Sequence, residues 1–176
     1  MNKTTRKWEL IGIAAISIVG SFLHFLFELS GRLAPVGAIA AVNESVWEHF
    51  KIGFWAAVFY MIFEYFYLRK SVRNFFFAKA IGIYSIPLVI AIVFYSYTAI
   101  IGHEILVVDI VTFIFAIAIS QLIGYNLSKI QTLPRWLNGL GLVLIIILAA
   151  AFVIFTYYPP HLPVFQDSVT GKYGIP

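Results

Sequence analysis

No cysteine occurs in this chain, so disulfides, thiolate nucleophiles and cysteine metal ligands are all excluded. Charge is scarce as well: 11% of the residues are Asp, Glu, Lys or Arg, against 61% hydrophobic. A soluble domain of 176 residues could not bury that much apolar surface. There is no His-Glu-x-x-His zincin pattern, no phosphate-binding glycine loop and no Gly-x-Ser-x-Gly elbow. Any site must therefore be assembled from residues on several segments.

What the chain does have is length in its apolar runs. A hydrocarbon core of about 30 Å needs roughly 20 apolar residues per helical span. Five stretches meet that need, at about 8–29, 45–68, 80–101, 105–127 and 136–158, and a tail of 159–176 follows. The sequence predicts an all-α integral membrane bundle of five transmembrane helices, forming a single transmembrane domain over 1–176, with an ordered extracytoplasmic C-terminal tail. Lys3, Arg6 and Lys7 before an apolar run, with Ala38-Ile39-Ala40 beyond it, imitate a signal peptide. The run from Leu10 to Leu29 is longer than a usual signal core and carries His24 and Glu28, so it reads as a retained span. Gly31 and Pro35 break it, Asn43 is placed to cap the second helix, and Pro87 predicts a kink in the third.

The basic residues set the orientation. Lys3, Arg6, Lys7, Arg69, Lys70, Arg73, Lys79, Lys129 and Arg135 fall on one side when the N-terminus is cytoplasmic. Arg32, Lys51 and Lys172 remain outside or near the outer ends. This predicts a multi-pass protein of the cell membrane with an extracytoplasmic C-terminus. Trp8, Trp47, Trp136, Tyr157 and Tyr158 lie near span ends, where amphipathic rings sit. The net charge of +4 then serves orientation and anionic headgroups; membrane lipids are the expected partners, and nucleic acid is not.

The same orientation gathers the chemistry. All four histidines and six of the eight acids fall at the outer ends or in the loops between them. Ionisable groups near lipid are expensive and often functional. Ser17, Ser21, His24 and Glu28 share one helical face, although Glu28 can equally reach Arg32. Asn43 to His49 is the densest polar cluster, with Glu44 and Glu48 a turn apart; a helix N-terminus with a Glu48–Lys51 pair is the structural alternative. His103 and Glu104 precede the fourth span, and Asp109 lies deeper, within reach of Tyr95 or Tyr97. The metal-ligand candidates are His24, Glu28, Glu48, His49 and His161, and the catalytic candidates are Glu44, Glu48 and Asp109. Neutral histidine with carboxylate suits zinc, manganese or iron(II) better than calcium. Glu64, on the inner half, reads as structural, neutralised by Arg69 or Lys70.

The tail is too aromatic and proline-rich for a disordered end. Asp167 to Gly171 reads as a turn, and the tail is expected to fold over the outer mouth and carry His161, with Asp167, to the site. Three stretches, His24 to Glu28, Asn43 to His49 and Pro159 to Gly174, together resemble a family of small bacterial multi-span membrane proteins of unknown function. The resemblance covers the whole chain and implies no activity.

Three functions stay open on these residues. One is an outward-facing divalent-metal site acting on a lipid or envelope precursor, or holding a small polar ligand. The second is an ion- or proton-coupled transporter, for which Glu64, Gln121 and Asn126 are the inner-half polar candidates. The third is a non-catalytic membrane assembly or binding subunit. Because the chain lacks cysteine, its orientation is directly measurable: single cysteines at Arg73 and Lys172 should react with an impermeant thiol reagent from opposite sides of the membrane. Labelling of both from one side would refute the five-span topology.

Overall fold

The computed structural model describes residues 3–130 and 132–175. Among these, five helices carry the chain: α1 (Lys3–Leu29), α2 (Val46–Leu68), α3 (Phe75–Ile101), α4 (Leu106–Ser128) and α5 (Trp136–Tyr157). Short 3-10 turns at Ala34–Ala38 and Pro163–Phe165 punctuate the α1–α2 loop and the tail. Four of the helices, α1, α3, α4 and α5, are long and apolar enough to cross a membrane. Helix α2 is not one of them; it carries Glu48, Lys51 and Glu64, all buried.

That difference places α2 in the fold. Its N-terminal half, Phe50 to Val58, is buried almost throughout, and α2 packs against α1, α3, α5 and the Pro163–Phe165 turn. Phe54, Ala56 and Met61 on α2 meet Ile16 of α1, Ile86 of α3, Ile117 of α4 and Phe152 of α5 in one core. Phe22, Phe66, Leu106, Ile146 and many other large apolar side chains stay exposed, as expected of faces solvated by lipid. Helices α3 and α4 form a tight hairpin. A Cβ on Gly82 would lie 2.6 Å from the Ser120 carbonyl oxygen, so only glycine permits this approach. Gly102 ends α3 at φ 86°, in the left-handed region, and allows the very short turn into α4.

Helix α3 begins at Phe75, before Ala80, where hydropathy alone starts a span. The cap comes from another helix. The Asn138 side-chain oxygen on α5 accepts the Phe76 and Phe77 amides at 2.8 and 3.3 Å, and its amide donates to the Arg73 carbonyl at 3.0 Å. Orphan amides at a helix start need such partners. The longer helix takes Lys79 out of the basic loop and into the interior, 5% exposed. There it pairs with Glu64 and with Glu9 of α1. Glu64 is thus neutralised by Lys79, not by Arg69 or Lys70. The α3 helix continues through Pro87.

At the end that holds the tail, a second buried ion pair ties three segments together. Lys51 is fully buried and lies 2.5 Å from Glu48. Its ammonium donates to the Gly37 carbonyl and the Thr156 hydroxyl, both at 2.7 Å. The Glu48 carboxylate accepts the Val42 amide at 2.9 Å. The pair therefore fixes the α1–α2 loop to α2 and α5. Lys51→Met should leave Glu48 as an uncompensated buried carboxylate and destabilise the protein by about 3–5 kcal/mol. The double variant Glu48→Leu/Lys51→Met should recover most of that loss. Thermal or denaturant unfolding in detergent checks both; a single variant as stable as the native chain would show that the pair is not structural.

Candidate metal centre

The site is built where the C-terminal end of α1 meets the start of α2. The loop between them is compact: Phe27, Ala40 and Val42 form a small core of their own, against which Ile175 of the tail packs. Asn43 does not cap α2 with its side chain. Its side-chain oxygen instead accepts the Ser45 amide at 2.9 Å, two residues on, and its amide donates to the Gly174 carbonyl at 2.8 Å. The helix starts after Ser45. Glu44 consequently lies outside the helix, and its side chain reaches sideways to α1 and α2.

Three side chains converge there. The Glu44 carboxylate oxygen Oε2 lies 3.3 Å from His24 Nε2 and 3.7 Å from His49 Nε2. The imidazole rings of His24 and His49 are 5.3 Å apart, centre to centre. One ligand atom from each residue fits within 4.8 Å of the others. Ligand atoms around a tetrahedral zinc stand ~3–3.5 Å apart, given its ~2.0–2.2 Å bonds. The three groups are therefore within a small side-chain adjustment of a shared ion. Its own helix orients the His49 ring: Nδ1 lies 2.9 Å from the Ser45 carbonyl, which only accepts, so Nδ1 carries a proton and Nε2 is the nitrogen turned toward Glu44. The His24 ring bonded to Glu44 holds that carboxyl below the usual carboxylate range, against the opposing effect of burial.

Two cavities flank the cluster. A small one of about 40 Å³ is lined by Glu44, His49, Glu104, Asp109 and Thr112, among others. That is room for ordered water among polar partners. Asp109 is anchored there by the Tyr97 hydroxyl at 2.7 Å, one of the two tyrosine contacts within its reach on the third span. The second cavity, of about 530 Å³, lies between α1 and α4 over α2. Its walls are mainly apolar, with Ile18, Phe25, Ile110 and Phe113 prominent, and His24, His49 and Asp109 contribute its polar groups with Ser17 and Ser21. The two serine hydroxyls are turned back onto their own helix, donating to the carbonyls of Ile13 and Ser17.

The other sequence candidates are not in this group. Glu28 is exposed and forms a two-oxygen contact with Arg32, at 3.0 and 3.1 Å from Nε. Glu48, although it is a turn from Glu44 in sequence, points the other way, into the pair with Lys51. His161 is exposed and packs at a tilt against Tyr173, ring centres 4.7 Å apart, and His103 is exposed in the turn after α3. Of the ligand candidates His24, Glu28, Glu48, His49 and His161, only the two histidines come together, with Glu44 as their carboxylate. Helical spacing misplaced the acids because Glu44 precedes the helix.

The tail does reach the site, but through Asp167 and not His161. The Asp167 carboxylate accepts the Glu44 amide at 3.1 Å, and the Ser168 hydroxyl donates to the Glu44 carbonyl at 3.2 Å. Both backbone polar groups of Glu44 are thus held by the tail. Phe165 is buried against Trp47 and Phe155, which anchors the tail to α2 and α5. Burial would raise the Asp167 carboxyl; the Thr170 hydroxyl and the amides of Val169, Glu44 and Thr170 outweigh it and hold it below its ordinary 3.8. A depressed carboxyl stabilises the fold above its ordinary value and loses that contribution as pH falls through the folded one. Hydrogen-exchange protection of the Glu44 and Thr170 amides should therefore be retained at neutral pH and lost on acidification below that value. Asp167→Asn should reproduce the loss at pH 7, where Glu44 remains ionised; full protection in that variant would show that Asp167 does not hold the tail.

Comparison with known proteins adds a family and no activity. No curated protein and no solved structure matches the chain. A family model described as a family of unknown function, DUF6512, matches residues 1–175. A match of that extent covers the His24, Glu44 and His49 site, the buried ion pairs and the tail together: the chain belongs to the DUF6512 family.

Proposed function

We propose that this protein is a multi-pass membrane protein that binds a divalent transition metal through His24, Glu44 and His49, and uses it on a lipid or lipid-linked envelope precursor at the extracytoplasmic face. The observation that carries this reading is the three-ligand group beside the 530 Å³ apolar cavity. Three protein ligands with a free fourth position are the pattern of catalytic rather than structural zinc. The small polar cavity supplies a place for water, which a bound metal would acidify toward neutral pH. Asp109, held by Tyr97 in the wall of both cavities, is suited to take the proton from that water.

The substrate class follows from the larger cavity. A volume in the usual range for small-molecule sites, with mainly apolar walls and His24, His49 and Asp109 among its few polar groups, suits an amphiphile whose head lies at the metal. The cavity runs between α1 and α4, two helices apolar enough to span a membrane, so an acyl or prenyl chain can enter from the bilayer. All five helices cross in this reading. The charges of α2 are carried across because each is buried and paired within the bundle. The basic N-terminus and the Arg69–Arg73 loop lie inside, and the metal site and tail lie outside.

Metal analysis of the detergent-purified chain should find about one zinc- or manganese-class ion per protein. His24→Ala and His49→Ala should each weaken binding by about 100-fold or more, exceeding the 10–100-fold typical of groups that only orient a ligand. Glu28→Gln and His161→Ala should leave it unchanged. Equal affinity in the His24 and His49 variants would overturn the metal reading.

A further inference from the structure

The interior holds a second ionic cluster at the opposite end of the bundle, unrelated to the metal site. Glu9, Glu64 and Lys79 come from α1, α2 and α3 and are 4%, 0% and 5% exposed. The Lys79 ammonium lies 2.8 Å from a Glu9 oxygen and 2.5 Å from a Glu64 oxygen. Helix α4 closes the fourth side. A Cβ on Gly124 would sit 3.8 Å from both Glu9 oxygens, and the Gln121 amide donates to the Glu9 backbone carbonyl at 3.3 Å. Tyr60 of α2 donates to the Trp8 carbonyl at 2.5 Å and pins the first turns of α1 beside the cluster.

The charges do not balance. One ammonium neutralises one carboxylate, and two are present. The remaining charge would be buried without a partner, among the least favourable arrangements in a protein interior. The hydrogen bonds do not balance either: among the described residues, Glu9 Oε1 and Glu64 Oε1 are both buried with no donor. A single proton resolves both deficits. It makes the cluster neutral and turns one acceptor-only carboxylate into a hydrogen-bond donor. Two carboxylates on one site commonly hold a proton in this way, because like charges at short range cannot both ionise.

We propose that Glu9, Glu64 and Lys79 form a proton-binding site that keeps one carboxyl protonated at neutral pH and exchanges that proton with the aqueous phase through Glu9. Glu9 and Lys79 retain slight exposure while Glu64 has none, so Glu9 is the exchanging member. The facing groups are Tyr60 on α2 and Gln121 on α4, both neutral, so among the described residues Lys79 is the cation of the site and the two acids are its exchangeable groups. Helices α1 and α2, which carry His24 and His49 at the other end, are two of the three that this cluster joins. The site stands on the charge count and burial, and holds whether or not the outer cluster binds metal.

Infrared spectroscopy of the full chain in detergent or lipid tests this. At pH 7 the native protein should show the carbonyl stretch of about one protonated carboxylic acid, shifting in deuterium oxide and titrating away as pH rises. Glu9→Gln and Glu64→Gln should each abolish it, since either leaves a balanced one-to-one pair with Lys79. Asp109→Asn should leave it in place. Lys79→Met should double it; if that variant does not fold, the two glutamine variants and the native titration decide. Absence of the band in the native protein at pH 7, or its persistence in both glutamine variants, would overturn the proposal. So would a missing band accompanied by a sodium- or potassium-dependent rise in melting temperature, which would make the ligand a metal cation.

Discussion

The buried contact between Glu48 and Lys51 is the constraint on which the tail end of the molecule hangs. Two charges, 2% and 0% exposed, tolerate burial only when every lone pair and proton has a partner. Here the partners are the Val42 amide, the Gly37 carbonyl and Thr156. The loop is therefore no free connection. Its backbone completes the solvation of an ion pair, and leaving that position would expose two uncompensated charges to an apolar core. With Gly37 and Val42 fixed, Asn43 and Glu44 have little choice of place, and the Glu44 side chain falls between two histidines on different helices.

The tail completes what the ion pair begins. Asp167 and Ser168 hold the amide and carbonyl of Glu44, and Phe165 seats the tail in an aromatic cluster with Trp47 and Phe155. His49 is fixed by the Ser45 carbonyl, the first backbone acceptor of its own helix. Two of the three converging groups thus owe their place to backbone hydrogen bonds, which are stiff, rather than to long flexible side chains. Such preorganisation is what a metal site or a polar binding site requires.

The bundle manages charge in one way at both ends. Each ionisable group on α2 is set against a partner from another segment or the next turn, and Glu48, Lys51 and Glu64 are all buried. The sequence signals this weakly. Helix α2 is less apolar than its neighbours because it carries Glu48, Lys51 and Glu64, whose burial the packing provides. Reading Glu64 against the nearby Arg69 and Lys70 follows from local spacing. The true partner, Lys79, becomes available only because Asn138 on α5 extends α3 toward its start.

Much of the fold was legible. Apolar runs of membrane length fix the helices, and Gly31, Gly102 and Pro159 mark where several end, because hydropathy and chain geometry are local properties. The grouping of histidines and acids at one end was legible for the same reason; that Asp109 meets Tyr97 rather than Tyr95 was not. Membership of the site was not. Whether Glu28, Glu44 or Glu48 meets His24 depends on whether each lies on the helix or before it, and on which way a loop is pulled by an ion pair spanning α2 and α5. The sequence by itself determined the helices, the scarcity of charge and the end at which polar groups collect. Only the tertiary structure decided that Glu44 joins the histidines, that Asp167 rather than His161 reaches it, and that Lys79 is shared by two acids. Those outcomes rest on pairing between distant segments, where the cost of an unpartnered buried charge selects one arrangement from several that local pattern allows.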